Sequence, residues 1–232
     1  MPETLNCFPL TVYKDQLGLS EAYRRELGQK IIETSEANPL ADGEDHRWTG
    51  DLQGHDLFHL DPLTANLFGL LKTSVTTYVF ALGMDPARFR YHCTRSWGTV
   101  SLLGEHIPVH NHSQSHISAV YYPVKPEGAG NLILHNRNPP NEFAPGLFGA
   151  HASERGYVQE LTDFNTMSAT MAAAEDDLII FPSKQLHGTE VSEADSPRIS
   201  IAVDIVVTLK GESGGEYSMP DLTLWRDLET FD

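Results

Sequence analysis

Residues 104–122, GEHIPVHNHSQSHISAVYY, and residues 177–200, DLIIFPSKQLHGTEVSEADSPRIS, decide how the chain is read. In the first, His110 and His112 stand two apart in a stretch that reads as extended, so both imidazoles leave one face of a strand in the geometry of a chelate. In the second, an apolar run through Phe181-Pro182 precedes His187, and Arg198-Ile-Ser200 then forms another same-face pair. Two neighbouring histidines, a distant third and a strand-borne arginine describe a metal site that also holds an anionic co-substrate.

Around these segments the pattern is that of short strands, expected at roughly 97–103, 107–112, 116–124, 130–135, 168–173, 177–182, 186–191 and 197–209, with turn signals between them. The period of two begins at Phe89. Such a run predicts a mainly β fold, a sandwich or barrel. Two helices precede it. One is capped by Ser20, carries Tyr23, Leu27 and Ile31 at four-residue spacing and ends before Asn38-Pro39. The other opens on Asp61-Pro62 and lines Leu67, Leu70, Leu71, Val75, Tyr78, Val79 and Leu82 along one stripe before Gly83. Residues 5–13 suit an edge strand, and residues 40–60 a loop. Residues 136–166 are too long for a hairpin and are expected to form a lid or binding wall. In the tail, Leu222, Leu224, Trp225 and Phe231 are expected to dock on the core. The chain reads as a single domain, 1–232, with a helical cover over about 1–86, a β core over about 87–210 and a tail over 211–232.

Composition narrows the function. The 232 residues carry 16 Lys plus Arg against 32 Asp plus Glu, a formal charge of −16, which repels nucleic-acid backbones and anionic lipid. No nucleic-acid partner and no membrane partner are expected. Cys7 and Cys93 are far apart without metal-ligand spacing and read as free thiols, and the N-terminus has no signal-peptide pattern, which predicts a cytoplasmic protein. An exposed edge strand and the tail can support a homodimer.

A neutral imidazole ligates Fe(II), Zn(II), Cu(II), Mn(II) or Ni(II), and two on one strand face can take cis positions on one ion. The third must come from another strand, and His187, just past Leu178-Ile-Ile-Phe-Pro182, is placed to supply it. Gly104-x5-His110-x-His112-x3-His116 and Pro182-x4-His187 resemble the two metal motifs of cupins, with histidine replacing the usual glutamate in the first and Lys184 replacing glycine in the second. His116 shares its strand face with Ser118, Val120 and Tyr122 and is expected to point into the cavity. Trp97, Asn131 and His135 are further candidates for the substrate side; the other histidines read as structural or solvated.

Taken together, Ser96-Trp97 leading to His110-x-His112, Ser118-Ala-Val-Tyr-Tyr122, Gly130-Asn-Leu-Ile-Leu134, Leu178-Ile-Ile-Phe-Pro-Ser183 and His187-x10-Arg198-x-Ser200 resemble the double-stranded β-helix oxygenases that use Fe(II) and 2-oxoglutarate, in particular a small subgroup found in marine bacteria and phages. The resemblance spans Phe8 to about Val207. It implies a jelly-roll, cupin-like fold with metal ligands His110, His112 and His187. It also implies that Arg198, Ser200 and Tyr122 grip the distal carboxylate of 2-oxoglutarate. The implied reaction hydroxylates a C–H bond of a small metabolite, amino acid or peptide with molecular oxygen. One departure stands out: the usual triad has Asp or Glu two residues after its first histidine, and here that position is His112. Three neutral ligands leave an ion more positive and change its redox behaviour. Two other classes fit the same residues, a three-histidine cupin-type metalloenzyme that uses no 2-oxoglutarate and a non-catalytic metal-binding domain.

Overall fold

The computed structural model describes residues 3, 5, 7–37, 47–48, 55–215 and 218–230. In chain order the elements are β1 (Tyr13–Gln16), α1 (Glu21–Ala37), β2 (Arg47–Trp48), α2 (Ala65–Ala81), β3 (Phe89–Ser101), β4 (Ile117–Val124), β5 (Leu132–His135), α3 (Ala150–Glu154), β6 (Ser168–Met171), β7 (Asp177–Pro182), β8 (His187–Thr189) and β9 (Arg198–Leu209). A six-stranded antiparallel sheet runs β1-β7-β4-β9-β3-β2, and a three-stranded one runs β6-β5-β8. The fold is mainly β, as expected.

Strand alternation divides the larger sheet into two faces. Ile117, Ala119 and Tyr121 of β4, Leu178 and Ile180 of β7, and Ile199, Ile201, Val203 and Ile205 of β9 pack with Leu27 and Ile31 of α1 and Leu67, Leu71, Val75, Tyr78 and Val79 of α2. Each large aliphatic buried there contributes about 2 kcal/mol. The helices are the cover the periodicity predicts, although Leu82 is exposed. Ser20 Oγ accepts from Tyr23 N at the start of α1, and Asp61 accepts from Leu63 N in the 3-10 turn that leads into α2. Where α1 crosses β3, Ile31 lies directly on Gly98, so close that a Cβ there would fall 2.5 Å from it. The opposite face turns toward the smaller sheet, where Tyr122, Ile179 and Phe181 meet Leu132 and Leu134.

Several expectations are corrected. The first strand is Tyr13–Gln16 rather than residues 5–13. Leu5, Phe8 and Leu10 are exposed, because pairing with β7 starts only at Tyr13↔Ile180. β3 is one strand from Phe89, bulged between Cys93 and Arg95. Within residues 40–60, mostly outside the described residues, Arg47–Trp48 is a strand on β3 rather than loop. Residues 107–112 form no strand. Pro108 has no N–H to continue a ladder, and the contact with β8 is an isolated bridge at His110, through His110 N to His187 O at 2.8 Å and His187 N to His110 O at 2.9 Å, beside a single backbone bond from Thr189 N to Ile107 O at 3.1 Å. The tail is held by a polar clamp instead of by apolar docking. Buried Asp221 accepts from Gly211 N, Thr223 N and Arg90 Nε, while Leu222, Leu224 and Trp225 are exposed. Phe231 lies outside the described residues. Among the described residues no helix is long and apolar enough to cross a membrane.

Candidate metal centre and anion pocket

His110 and His112 approach from the irregular segment before β4, and His187 from β8 on the smaller sheet. Their ligand atoms all lie within 4.8 Å of one another. The Nε2 atoms of His110 and His112 are 3.2 Å apart; two cis imidazoles on one ion need roughly 3 Å when metal–nitrogen bonds are near 2.1 Å. Each ring has its other nitrogen occupied by an acceptor. His110 Nδ1 donates to Pro108 O at 2.7 Å, His187 Nδ1 to Gln185 O at 2.9 Å and His112 Nδ1 to Asp204 Oδ1 at 2.5 Å. Carbonyl and carboxylate oxygens only accept, so all three rings carry their proton on Nδ1 and turn an Nε2 lone pair inward. Burial, and secondarily the neighbouring His110 and His112, push the His187 pKa down to about 3, which keeps that lone pair available. A divalent cation fits this donor set.

A narrow cavity runs from the three histidines between the sheets, lined by Trp97, Val120, Tyr122, Leu132, Arg198 and Ser200 among others. At its far end the Arg198 guanidinium is 1% exposed. Its Nη1 donates to Ala129 O and Gly130 O, its Nη2 to Ser101 Oγ and Thr189 Oγ1, and its Nε has no partner. No carboxylate pairs with it among the described residues, and burial lowers its pKa. A buried cation with one unused N–H on its Nε edge suits an incoming carboxylate. Gly130 makes the arrangement possible. With φ +69° its chain passes so close that a Cβ would collide with Glu190 O and lie 3.3 Å from Arg198 Nη1. Tyr122 stands beside Arg198, and burial drives its pKa up to about 12, so the phenol keeps its proton and can donate.

The cavity gathers His110, His112, His187, Arg198, Ser200, Tyr122 and Trp97, the last with its ring centroid 5.4 Å from that of His112. It does not gather His116, Asn131 or His135. His116 precedes β4 instead of lying on it, is exposed, and accepts from Val207 N. Asn131 lines a separate, wider cleft of about 720 Å³ and is hydrogen-bonded to Glu190. His135 ends β5 away from the cavity lining, its carbonyl taken by Gln185. No residue of 136–166 lines the cavity. Sequence reading missed Asp204, Ser101 and Thr189. Asp204 was visible in principle, since it continues the row Arg198, Ser200, Ala202 along one face of β9.

Residues 95–204 match the family model described as "Putative 2OG-Fe(II) oxygenase". Over those residues the chain is similar to the 2OG-Fe(II) oxygenases. The site offers both a three-histidine cluster and a buried arginine. Solved structures share the double-stranded β-helix fold. HygX from Streptomyces hygroscopicus, with nickel and 2-oxoglutarate bound, superposes with TM-score 0.56 at 12% identity, covering 85% of this chain and 83% of that one. The non-heme alpha ketoglutarate dependent epimerase SnoN from nogalamycin biosynthesis gives 0.57 at 11%, covering 91% and 90%. AviO1 from Streptomyces viridochromogenes Tue57 gives 0.53 at 12%, covering 85% and 90%. Among curated protein sequences, none matches the chain.

Proposed function

We propose that His110, His112 and His187 hold Fe(II), that Arg198, Ser200 and Tyr122 hold the far carboxylate of 2-oxoglutarate, and that the enzyme hydroxylates a C–H bond of a small metabolite, amino acid or peptide. The observation that carries this reading is a single cavity with converging imidazole lone pairs at one end and, at the other, a buried guanidinium that no carboxylate of the described residues reaches. When bound, Fe(II) and 2-oxoglutarate supply the oxidising chemistry, 2-oxoglutarate being decarboxylated to succinate as one atom of O2 enters the substrate.

The chain's own residues position and exclude water. Arg198 is locked by two carbonyls on Nη1, so its Nε–H is aimed before ligand arrives and little side-chain entropy is lost on binding. The neutral Tyr122 phenol adds a donor to the same carboxylate. Val120, Leu132 and Ala202 line the middle with apolar surface, which strengthens every electrostatic contact made there. Trp97, beside His112, is assigned to the substrate side. The dispersed charge of −16 argues against a nucleic-acid partner, and the free thiols support a cytoplasmic setting. The exposed Leu222, Leu224 and Trp225 support a homodimer contact.

Anaerobic titration of 2-oxoglutarate into the Fe(II) protein tests the reading. A visible charge-transfer band and, with oxygen, succinate release are expected. A protein that retains iron but shows neither would instead be a three-histidine metalloenzyme of another kind or a non-catalytic metal binder.

A further inference from the structure

We propose that Asp204 is the carboxylate this metal site keeps outside its ligand set, a positioning residue that fixes the proton and charge of His112 from the far side of the ring. The inference rests on the metal reading above and deepens it. Where the family's usual triad places a ligating carboxylate, this chain has His112, and the residue directly behind that imidazole is an aspartate that is 0% exposed. Its Oδ1 lies 2.5 Å from His112 Nδ1 and also accepts from Ser115 Oγ at 3.1 Å. Ser118 Oγ sits 3.0 Å from the same Nδ1, and Ser183 Oγ ties Ser115 and Ser118 together.

Two features separate this from an ordinary buried hydrogen bond. Among the described residues no lysine or arginine pairs with Asp204, and its Oδ2 has no partner at all. A carboxylate wholly removed from water, with only one imidazole and hydroxyl groups to receive it, is a poor stabilising device. It becomes reasonable if a divalent cation occupies the other side of that imidazole, since the ring then lies between opposite charges. The Nδ1 atoms of His110 and His187, by contrast, face backbone carbonyls, Pro108 O and Gln185 O. The asymmetry points to His112 as the ligand that carries the negative charge. The three-histidine site thus has a carboxylate one bond network removed from where the metal would sit, which would offset the positive charge three neutral ligands leave.

The test compares wild type, Asp204→Asn, His112→Asp and the double variant, measuring Fe(II) affinity by anaerobic competition with a chromophoric chelator, the 2-oxoglutarate charge-transfer band, and apo-protein melting. Asp204→Asn keeps shape but loses charge. It is expected to weaken Fe(II) binding by about 10-fold to 100-fold, to move the band to shorter wavelength, and to leave apo melting unchanged or higher. In the His112→Asp background the sign should reverse. There the introduced carboxylate carries the charge and Asp204 faces a like charge, so Asp204→Asn should tighten metal binding. Equal Fe(II) affinity and an unmoved band in Asp204→Asn would overturn the inference, as would an equal loss in both backgrounds or lowered apo melting. Wild-type protein that takes up Fe(II) but no 2-oxoglutarate would sink the oxygenase reading, while the affinities would still decide the role of Asp204.

Discussion

On β9, Ile199, Ile201, Val203 and Ile205 face the helices, while Arg198, Ser200, Ala202 and Asp204 face the smaller sheet. The same strand, in the same ladder, thus serves two ends. The helix side is closed on itself, apolar groups meeting apolar groups, and needs nothing further to be stable. Among the described residues, the inner side carries a buried guanidinium with no anion at one end and a buried carboxylate with no Lys or Arg at the other. Charges left uncompensated in the interior cost stability, which is in keeping with the proposal that ligands bind between the sheets.

Substitutions on the two faces should therefore fail differently. The largest effect is expected from His187→Ala or His110→Ala, which should reduce succinate formation to background with circular dichroism unchanged; retained turnover would remove the metal assignment. Next, Arg198→Lys should weaken 2-oxoglutarate binding by at least about 30-fold, roughly 2 kcal/mol, because a point charge cannot replace a preset planar fork. Fe(II) affinity should stay as in wild type, and calorimetry of both ligands checks it. On the helix side, Ile201→Ala should cost about 2–5 kcal/mol of folding stability by denaturant melting, with Fe(II) affinity intact wherever the protein is folded. Tyr122→Phe should weaken 2-oxoglutarate by about 1.5 kcal/mol, near 10-fold. Because burial holds the Tyr122 pKa up near 12, its contribution should be constant from about pH 6 to 9 and be lost only as pH rises through that value. Smallest of all, Trp225→Ser in the exposed tail should change monomer stability by less than about 0.5 kcal/mol; a shift in oligomeric state by light scattering would support the homodimer.

How much of this was legible in the sequence differs by residue for physical reasons. Arg198-x-Ser200 could be read because a strand repeats every two residues, whatever it pairs with. The pairing of His110 and His112 survived a wrong premise. They lie on an irregular segment, yet backbone bonds from His110 to His187 and from His112 N to Ser183 O hold both rings toward one point. His116 was misplaced because the strand starts one residue later and the ring turns out to Val207 N. Leu222, Leu224 and Trp225 look like core residues in sequence, but the tail is short and anchored by Asp221, so nothing brings them inward.

Local chemistry along the chain was enough to mark out a mainly β fold covered by two helices, three candidate ligands and an arginine proposed to hold a diacid. Periodicity and donor type are properties of short segments and need no partner to be recognised. That Asp204 stands behind His112, that Gly130 lets two carbonyls seize Arg198, and that Asn131 and His135 fall away from the cavity was decided only when β9, β5 and β8 came together. Those contacts join residues tens of positions apart, and which of several possible neighbours a side chain meets depends on strand order and register, which no single stretch of sequence contains.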